Sequence, residues 1–260
     1  MVHSLRSINV ALALALLLAS AGAAANGTAT ASISNVRFGA LDLTQGDGSA
    51  AGFDILSVQP SLFAGVHTLT AEYYVTGYPT ALTEAAVQLD LGTAAVAART
   101  SGALADVSSM AGGDASLGEF GSLGGTANQA VHFMLSPHTV LTISGRLATL
   151  AERSSRPAEY YDVVGMAYVG IVDGDGYTFT QFTRQSLSFA DWPDRMTVED
   201  DFMLAFANGS ADYRPVSVYF QALSNVMRLA TPVPEPAPGW LLTAGLLMLG
   251  IAAEARRRGR

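Results

Sequence analysis

The chain has 260 residues, no cysteine and a formal net charge of −8. The lack of cysteine excludes disulfides, thiolate metal sites and a cysteine nucleophile. Between the two terminal segments described next there are 9 arginines, no lysine and 20 aspartates plus glutamates. The acidic charge of this region argues against binding to nucleic acid or anionic lipid, because binding to either requires basic side chains.

The N-terminus has the three parts of a secretory signal peptide. Arg6 supplies the positive start, Ile8 to Leu18 is apolar, and small residues follow. Ala23 and Ala25 fit the A-x-A cleavage pattern, so we expect residues 1–25 to be removed and the mature chain to start at Asn26. The alternative is an uncleaved membrane anchor, for which the apolar run is short.

The C-terminus also has three parts. Prolines 232, 234, 236 and 238 alternate in residues 231–238, which predicts an extended, exposed linker because proline cannot continue a helix. Residues 239–255 are predicted to form a transmembrane helix. Its apolar part, Trp240 to Ala253, would span only about 21 Å of a ~30 Å hydrocarbon core. The basic residues 256–260 are expected to stay in the cytoplasm, with Arg256, Arg257 and Arg258 as the membrane stop.

The order Val233-Pro234-Glu235-Pro236, apolar helix and arginine cluster resembles the PEP-CTERM sorting signal. This resemblance implies processing by an exosortase, a membrane transpeptidase-like protease, after export by the secretion machinery and signal peptidase. It also implies an inner-membrane-anchored intermediate, later delivery to the cell surface or extracellular matrix, and association with exopolysaccharide. The alternative is a plain proline-rich stalk ahead of a single membrane span.

Residues 26–230 show the two-residue alternation of β-strands and no helical period. They predict a mainly β domain, a single β-sandwich or jelly roll, flanked by the signal helix and the transmembrane helix. Strands are expected at 68–76, 86–91, 131–135, 140–144, 161–172, 177–182, 201–207 and 215–222. Residues 97–130 are rich in Gly, Ser and Ala and are expected to form a flexible loop, with a short helix at Ala103 to Met110.

Two acidic clusters are candidate metal sites. Asp173 and Asp175 stand at alternate positions of a Gly-rich segment and could give calcium two or three oxygen ligands. The alternative, which we favour, is a hairpin turn without a metal, in which Asp-Gly pairs supply positive φ. Residues 199–201, Glu-Asp-Asp, could serve a metal or a cationic partner, but we expect a solvated loop.

The remaining residues give only weak evidence for a metal, catalytic or sugar-binding site. His67, His132 and His138 lack paired metal-ligand spacing. The sequence contains no G-x-S-x-G elbow, no Walker A loop and no H-E-x-x-H helix. The aromatic residues Trp192, Tyr177 and Tyr213 could stack on sugars, although core or rim packing is the ordinary role of such residues.

These observations favour a non-enzymatic protein of the cell surface or extracellular matrix, without a cofactor. Its partners would be an exosortase, the export machinery and exopolysaccharide, and not nucleic acid. The alternative is a lectin-like carbohydrate-binding module that uses the aromatics with Asp173, Asp175 and calcium. A polysaccharide hydrolase is a third hypothesis, and no sequence motif favours it.

Overall fold

A computed structural model describes most of the chain between residues 27 and 229. The described residues are 27–46, 50–68, 70–80, 82–92, 94–113, 121–153, 160–174, 176, 178–189 and 192–229. All of them belong to one compact unit that ends at Leu229. The signal peptide, the C-terminal tail, Asp175 and Tyr177 lie outside the described residues, and the predictions made for them stay predictions.

The described residues form twelve β-strands, and no helix among them is long and apolar enough to cross a membrane. The strands are β1 (Gly27–Asp42), β2 (Phe53–His67), β3 (Glu72–Gly77), β4 (Glu84–Asp90), β5 (Ala94–Ser101), β6 (Val107–Gly113), β7 (Ser122–Leu135), β8 (Thr139–Arg153), β9 (Tyr160–Asp173), β10 (Thr178–Ser188), β11 (Arg195–Asn208) and β12 (Arg214–Leu229).

The strands make two six-stranded antiparallel sheets. Sheet A has the order β11-β8-β1-β6-β5-β4, and sheet B has the order β10-β9-β12-β7-β2-β3. The sheets are stacked: β1 contacts β12 and β9, for example, and β6 contacts β7 and β12. The prediction of a mainly β, sandwich-like domain is therefore confirmed.

Alternation along the strands separates a buried face from an outer face. In β7, Leu123, Ala127, Val131 and Phe133 point into the core, and the residues between them point outward. This is the period of two that a half-buried strand requires. Buried side chains from both sheets form one continuous hydrophobic cluster.

The core is thin in the middle because its side chains there are small. Ala127, Ala222 and Ala167 stand side by side on sheet B, and the next row holds Gly125, Ser224 and Gly165. A methyl group added at Gly165 would lie 2.6 Å from the carbonyl oxygen of Leu150 in sheet A. The backbones of the two sheets therefore approach closely at this level.

Toward the end where β7 and β1 terminate, the core is filled by aromatic rings. Phe133 lies 5.2 Å from Phe38 and 5.5 Å from Phe53 between ring centroids, and Phe220 packs on Phe38 at 6.1 Å with the rings nearly perpendicular. Edge-to-face and tilted contacts of this kind are favourable for aromatic pairs. The two sheets are therefore farther apart at the level of the large rings and closer together at the level of the small residues.

The prediction of a flexible loop over residues 97–130 is wrong for the residues described there. Residues 97–101 complete β5, Val107–Gly113 is β6, and residues 122–130 begin β7. The physical reason is the thin core, since buried residues such as Ala98, Ala111 and Gly125 have to be small where the sheets meet. A glycine- and alanine-rich composition here reflects close packing and not loop structure.

The predicted helix at Ala103 to Met110 is also wrong. Between β5 and β6 the chain makes a turn in which Ala105 is fully buried with φ of 63°. The N–H of Ala105 donates to the side-chain oxygen of buried Gln129, which reaches across from sheet B. This side chain satisfies a buried backbone donor that the turn leaves without a strand partner.

The same turn carries Asp106, and this gives a pH-dependent prediction. Burial raises the pKa of Asp106 above its ordinary value of 3.8, and a hydrogen bond with Ser101 opposes this in part. The folded protein therefore binds this proton more tightly than the unfolded chain does. The stability that the proton contributes is present below the ordinary pKa and is lost as the pH rises through the raised pKa.

We therefore expect Asp106→Asn to unfold at a higher urea concentration than the unmodified protein at about pH 7. The gap between the two unfolding midpoints should close toward about pH 3. Urea titrations followed by circular dichroism would measure both midpoints. Asp201→Asn, at an exposed position of β11, controls for the loss of one negative charge from an acidic protein. A gap for Asp106→Asn that stays constant with pH would contradict the raised pKa.

Candidate functional site

The outer face of sheet B carries an open groove of about 520 Å³. Its floor is a row of side chains in register on four neighbouring strands. This row consists of Tyr168 on β9, Gln221 on β12, Asn128 on β7 and Ser61 on β2. The row is continued by Tyr78, which follows β3 and is 73% exposed. The next row contributes Tyr219 and Gln59, with Ala130 between them.

Strand alternation explains why these polar and aromatic side chains face solvent. Each is the direct neighbour of a core residue: Tyr219 precedes buried Phe220, Asn128 precedes buried Gln129, and Gln221 precedes buried Ala222. A strand that buries one set of residues presents the intervening set on its other face. Apart from Tyr78, the groove is thus built on the middle of the sheet and not on its loops.

Gly170 fixes the position of Tyr168. A methyl group at Gly170 would lie 2.5 Å from the Cζ atom of Tyr168 and would also meet its hydroxyl. The tyrosine ring therefore lies along β9 over a residue that has no side chain. Gly170 is the direct neighbour of Tyr219 on β12, so the two tyrosines stand on adjacent strands at the groove.

The side chains that line the groove are uncharged. Gln59, Asn128 and Gln221 each offer amide donors and an acceptor, and the tyrosine hydroxyls do both. Asn128 Nδ2 lies 3.4 Å from Ser61 Oγ, a long hydrogen bond that leaves most of the amide's capacity for a ligand. One row beyond, His132 Nδ1 and Ser217 Oγ are 2.7 Å apart.

A second concavity, of about 680 Å³, lies on the outer face of sheet A beside the β-bulge of β1. Its lining includes Arg37, Arg146 and Asp201. Arg146 makes an ion pair with Glu199. Charges of both signs at exposed positions neutralise one another, so this surface presents no field of a single sign to a ligand.

Two of the aromatics singled out from the sequence, Trp192 and Tyr213, are not among the residues that line the groove. Trp192 precedes β11 and packs on Phe189 with ring centroids 6.3 Å apart, whereas Tyr213 follows β11 and is 65% exposed. The 14 residues of β11 separate the two by about 45 Å. These two residues therefore belong to opposite ends of the sandwich.

Asp173 ends β9 at the predicted hairpin. Its carbonyl accepts the N–H of Gly176 at 3.0 Å, and Gly176 has φ of 85°, so the predicted turn between these strands is confirmed. The Asp173 carboxylate lies 3.5 Å from Arg214 Nη2. A calcium ion at Asp173 would have to compete with this guanidinium.

The prediction of a loop at residues 199–201 is wrong, because Glu199, Asp200 and Asp201 lie within β11. Glu199 pairs with Arg146 on β8, and Asp200 pairs with Arg184 on β10 at 2.6 Å. The alternation of the strand directs neighbouring acidic residues to opposite faces. The cluster seen in the sequence is therefore divided between separate ion pairs.

The three histidines stand on separate elements: His67 ends β2, His132 is within β7, and His138 is in the turn before β8. Across the described part of the chain, no group of three or more His, Asp or Glu side chains is placed to hold a metal ion. Burial raises the pKa of Asp162 above its ordinary value, with Arg153 opposing it, and Asp162 is not among the residues that line the groove.

Sequence reasoning missed the residues of the groove. Tyr168, Gln221, Asn128 and Ser61 come from four distant stretches of the chain, and only the sheet order makes them neighbours. The available signal was local: an aromatic or amide residue at the outward position of a strongly alternating strand. Comparison with family models, with curated proteins and with solved structures found no match to this chain.

Proposed function

We propose that this is an exported protein of the cell surface or extracellular matrix, without a catalytic role, that an exosortase-type protease sorts through its C-terminal tail. The observation that carries the proposal is the tail sequence itself, Val233-Pro234-Glu235-Pro236 followed by an apolar stretch and Arg256, Arg257 and Arg258. The described strands lie between Gly27 and Leu229. The expected cleavages, before Asn26 and near residues 234–236, would leave all twelve described strands in the released protein.

The sandwich can be exported without disulfide formation, because the chain has no cysteine. Its stability comes from packing between the sheets. The proposal includes three further predictions. The strands are related as in a jelly roll, residues 1–25 form a signal helix, and residues 239–255 form a short transmembrane helix. The tail would hold the chain at the inner membrane until the linker is cut.

We expect deletion of Pro234, Glu235 and Pro236 to abolish surface display and to leave the protein in the membrane fraction with its tail intact. Fractionation with mass spectrometry of both termini would measure this in a host that has an exosortase. Deletion of residues 230–232 is the matched control, since it removes the same number of residues ahead of the predicted membrane helix and keeps Val233 to Pro236. A full-length, membrane-bound form of the unmodified protein at steady state would refute the sorting proposal.

The second candidate function is carbohydrate binding, and the sheet B groove favours it. Hydroxyl-rich ligands need amide and hydroxyl partners, and the apolar faces of sugar rings pack on aromatic rings. The groove offers both on a rigid surface. Its volume of about 520 Å³ falls within the usual ~300–1,000 Å³ of ligand sites.

A further inference from the structure

We propose that the sheet B groove binds a linear, uncharged polysaccharide that lies across the strands, without a metal ion. The inference rests on the second candidate function above and moves its site away from Asp173 and Asp175. It assigns the ligand contacts to Tyr168, Tyr219, Gln221 and Asn128.

The spacing of the row favours a chain-like ligand. Side chains on neighbouring strands are about 4.8 Å apart, which is comparable with the length of one sugar ring in a polysaccharide. From Tyr168 to Ser61 the row crosses three such steps, about 14 Å. Each strand thus offers one polar or aromatic side chain per sugar unit, and Tyr78 extends the line beyond β2.

The charge of the groove favours a neutral ligand. Among the residues that the structure describes, no lysine, arginine, aspartate or glutamate lines it. A uronic acid or phosphate group would therefore lose water without gaining a cationic partner. Neutral sugar hydroxyls, by contrast, can donate to and accept from the side-chain amides of Asn128 and Gln221.

Tyr168 is placed before the ligand arrives. Its ring lies over Gly170, and Tyr219, on the adjacent strand, is 40% exposed. Binding therefore requires little ordering of Tyr168, which lowers its entropic cost. A proline-rich peptide, such as residues 231–238 of this chain, could also dock on aromatic rings. Such a peptide would leave the amides of Asn128 and Gln221 largely unused, and the sugar fits them better.

The test is a titration of the purified protein with neutral hexasaccharides (cello-, laminari- and maltohexaose) and with hexaguluronate as the acidic counterpart. We expect one or more neutral probes to bind, with unchanged affinity in EDTA, and hexaguluronate not to bind. Tyr219→Ala should weaken binding about tenfold, and Tyr213→Ala, an exposed tyrosine outside the groove, should leave it unchanged. Circular dichroism checks that each variant is folded.

Two glycine variants test the placement of Tyr168 without truncating a contact. Gly170→Ala forces the Tyr168 ring away from the sheet and should weaken binding. Gly124→Ala, on the outer face of β7 where a methyl group meets nothing within 4 Å, should not.

Neutral sugar binding that survives Tyr219→Ala and Gly170→Ala, or that is lost in EDTA, would overturn the site and leave the carbohydrate-binding function standing. No binding of any neutral probe by the folded, unmodified protein would overturn both. Tighter binding of hexaguluronate, or of a synthetic peptide of residues 231–238, would overturn the ligand class.

Discussion

Gly165→Ala is expected to lower the free energy of unfolding by about 3 kcal/mol or more, at the upper end of what overpacking a core costs. The added methyl would meet the carbonyl oxygens of Thr30 and Leu150, which belong to strands of the opposite sheet. These are backbone atoms held by their own strand pairs, so no side chain can rotate to make room. The sheets would have to separate at their closest approach.

Urea unfolding of the purified variant would measure this loss. Gly124→Ala is the control, because it makes the same change in β7 on the outer face, where nothing lies within 4 Å. Gly125→Ala should fall between the two, since its nearest atom, the carbonyl oxygen of Ala97, would be 2.9 Å away. Equal midpoints for Gly165→Ala and Gly124→Ala would show that the sheets are farther apart than the structure has them.

The sequence predicted the sandwich where the core is made of large residues. Strands such as β7 near Phe133 and β12 near Val218 alternate bulky and polar side chains, and that alternation is visible without any structure. This prediction failed at Ala98, Ala111 and Gly125, because small residues give the same local pattern in a loop and in a tightly packed strand. Only the position of the opposite sheet distinguishes the two cases.

The hairpin at Asp173 was predictable because its determinants are adjacent in the chain. The partners of Glu199 and Asp200 were not, since Arg146 and Arg184 lie on other strands. The groove was even harder to predict, because its row joins residues as far apart in the chain as Ser61 and Gln221. Register across several strands is global information, and no local period in the sequence encodes it.

Phe220→Ala is expected to cost about 3–5 kcal/mol of stability, the usual loss when a buried phenylalanine is truncated. Phe220 is only 1% exposed and packs on Phe38, which in turn contacts Phe133. The cavity would open at the level where aromatic rings hold the sheets apart. Because the backbone there is tied on both sides to β7 and β9, the core has little freedom to collapse and refill it.

The adjacent residue provides the control for this prediction. Tyr219→Ala removes a ring of similar size from the outer face of the same strand, and we expect it to change stability by less than about 1 kcal/mol. Thermal and urea unfolding of the two variants would therefore differ sharply although the positions are neighbours in the chain. If Tyr219→Ala loses carbohydrate binding while it stays fully folded, and Phe220→Ala loses stability, then one face of β12 maintains the fold and the other binds the ligand. Comparable destabilisation by the two substitutions would mean that the ring of Tyr219 supports the sheet, and would remove the reason to treat it as a contact residue.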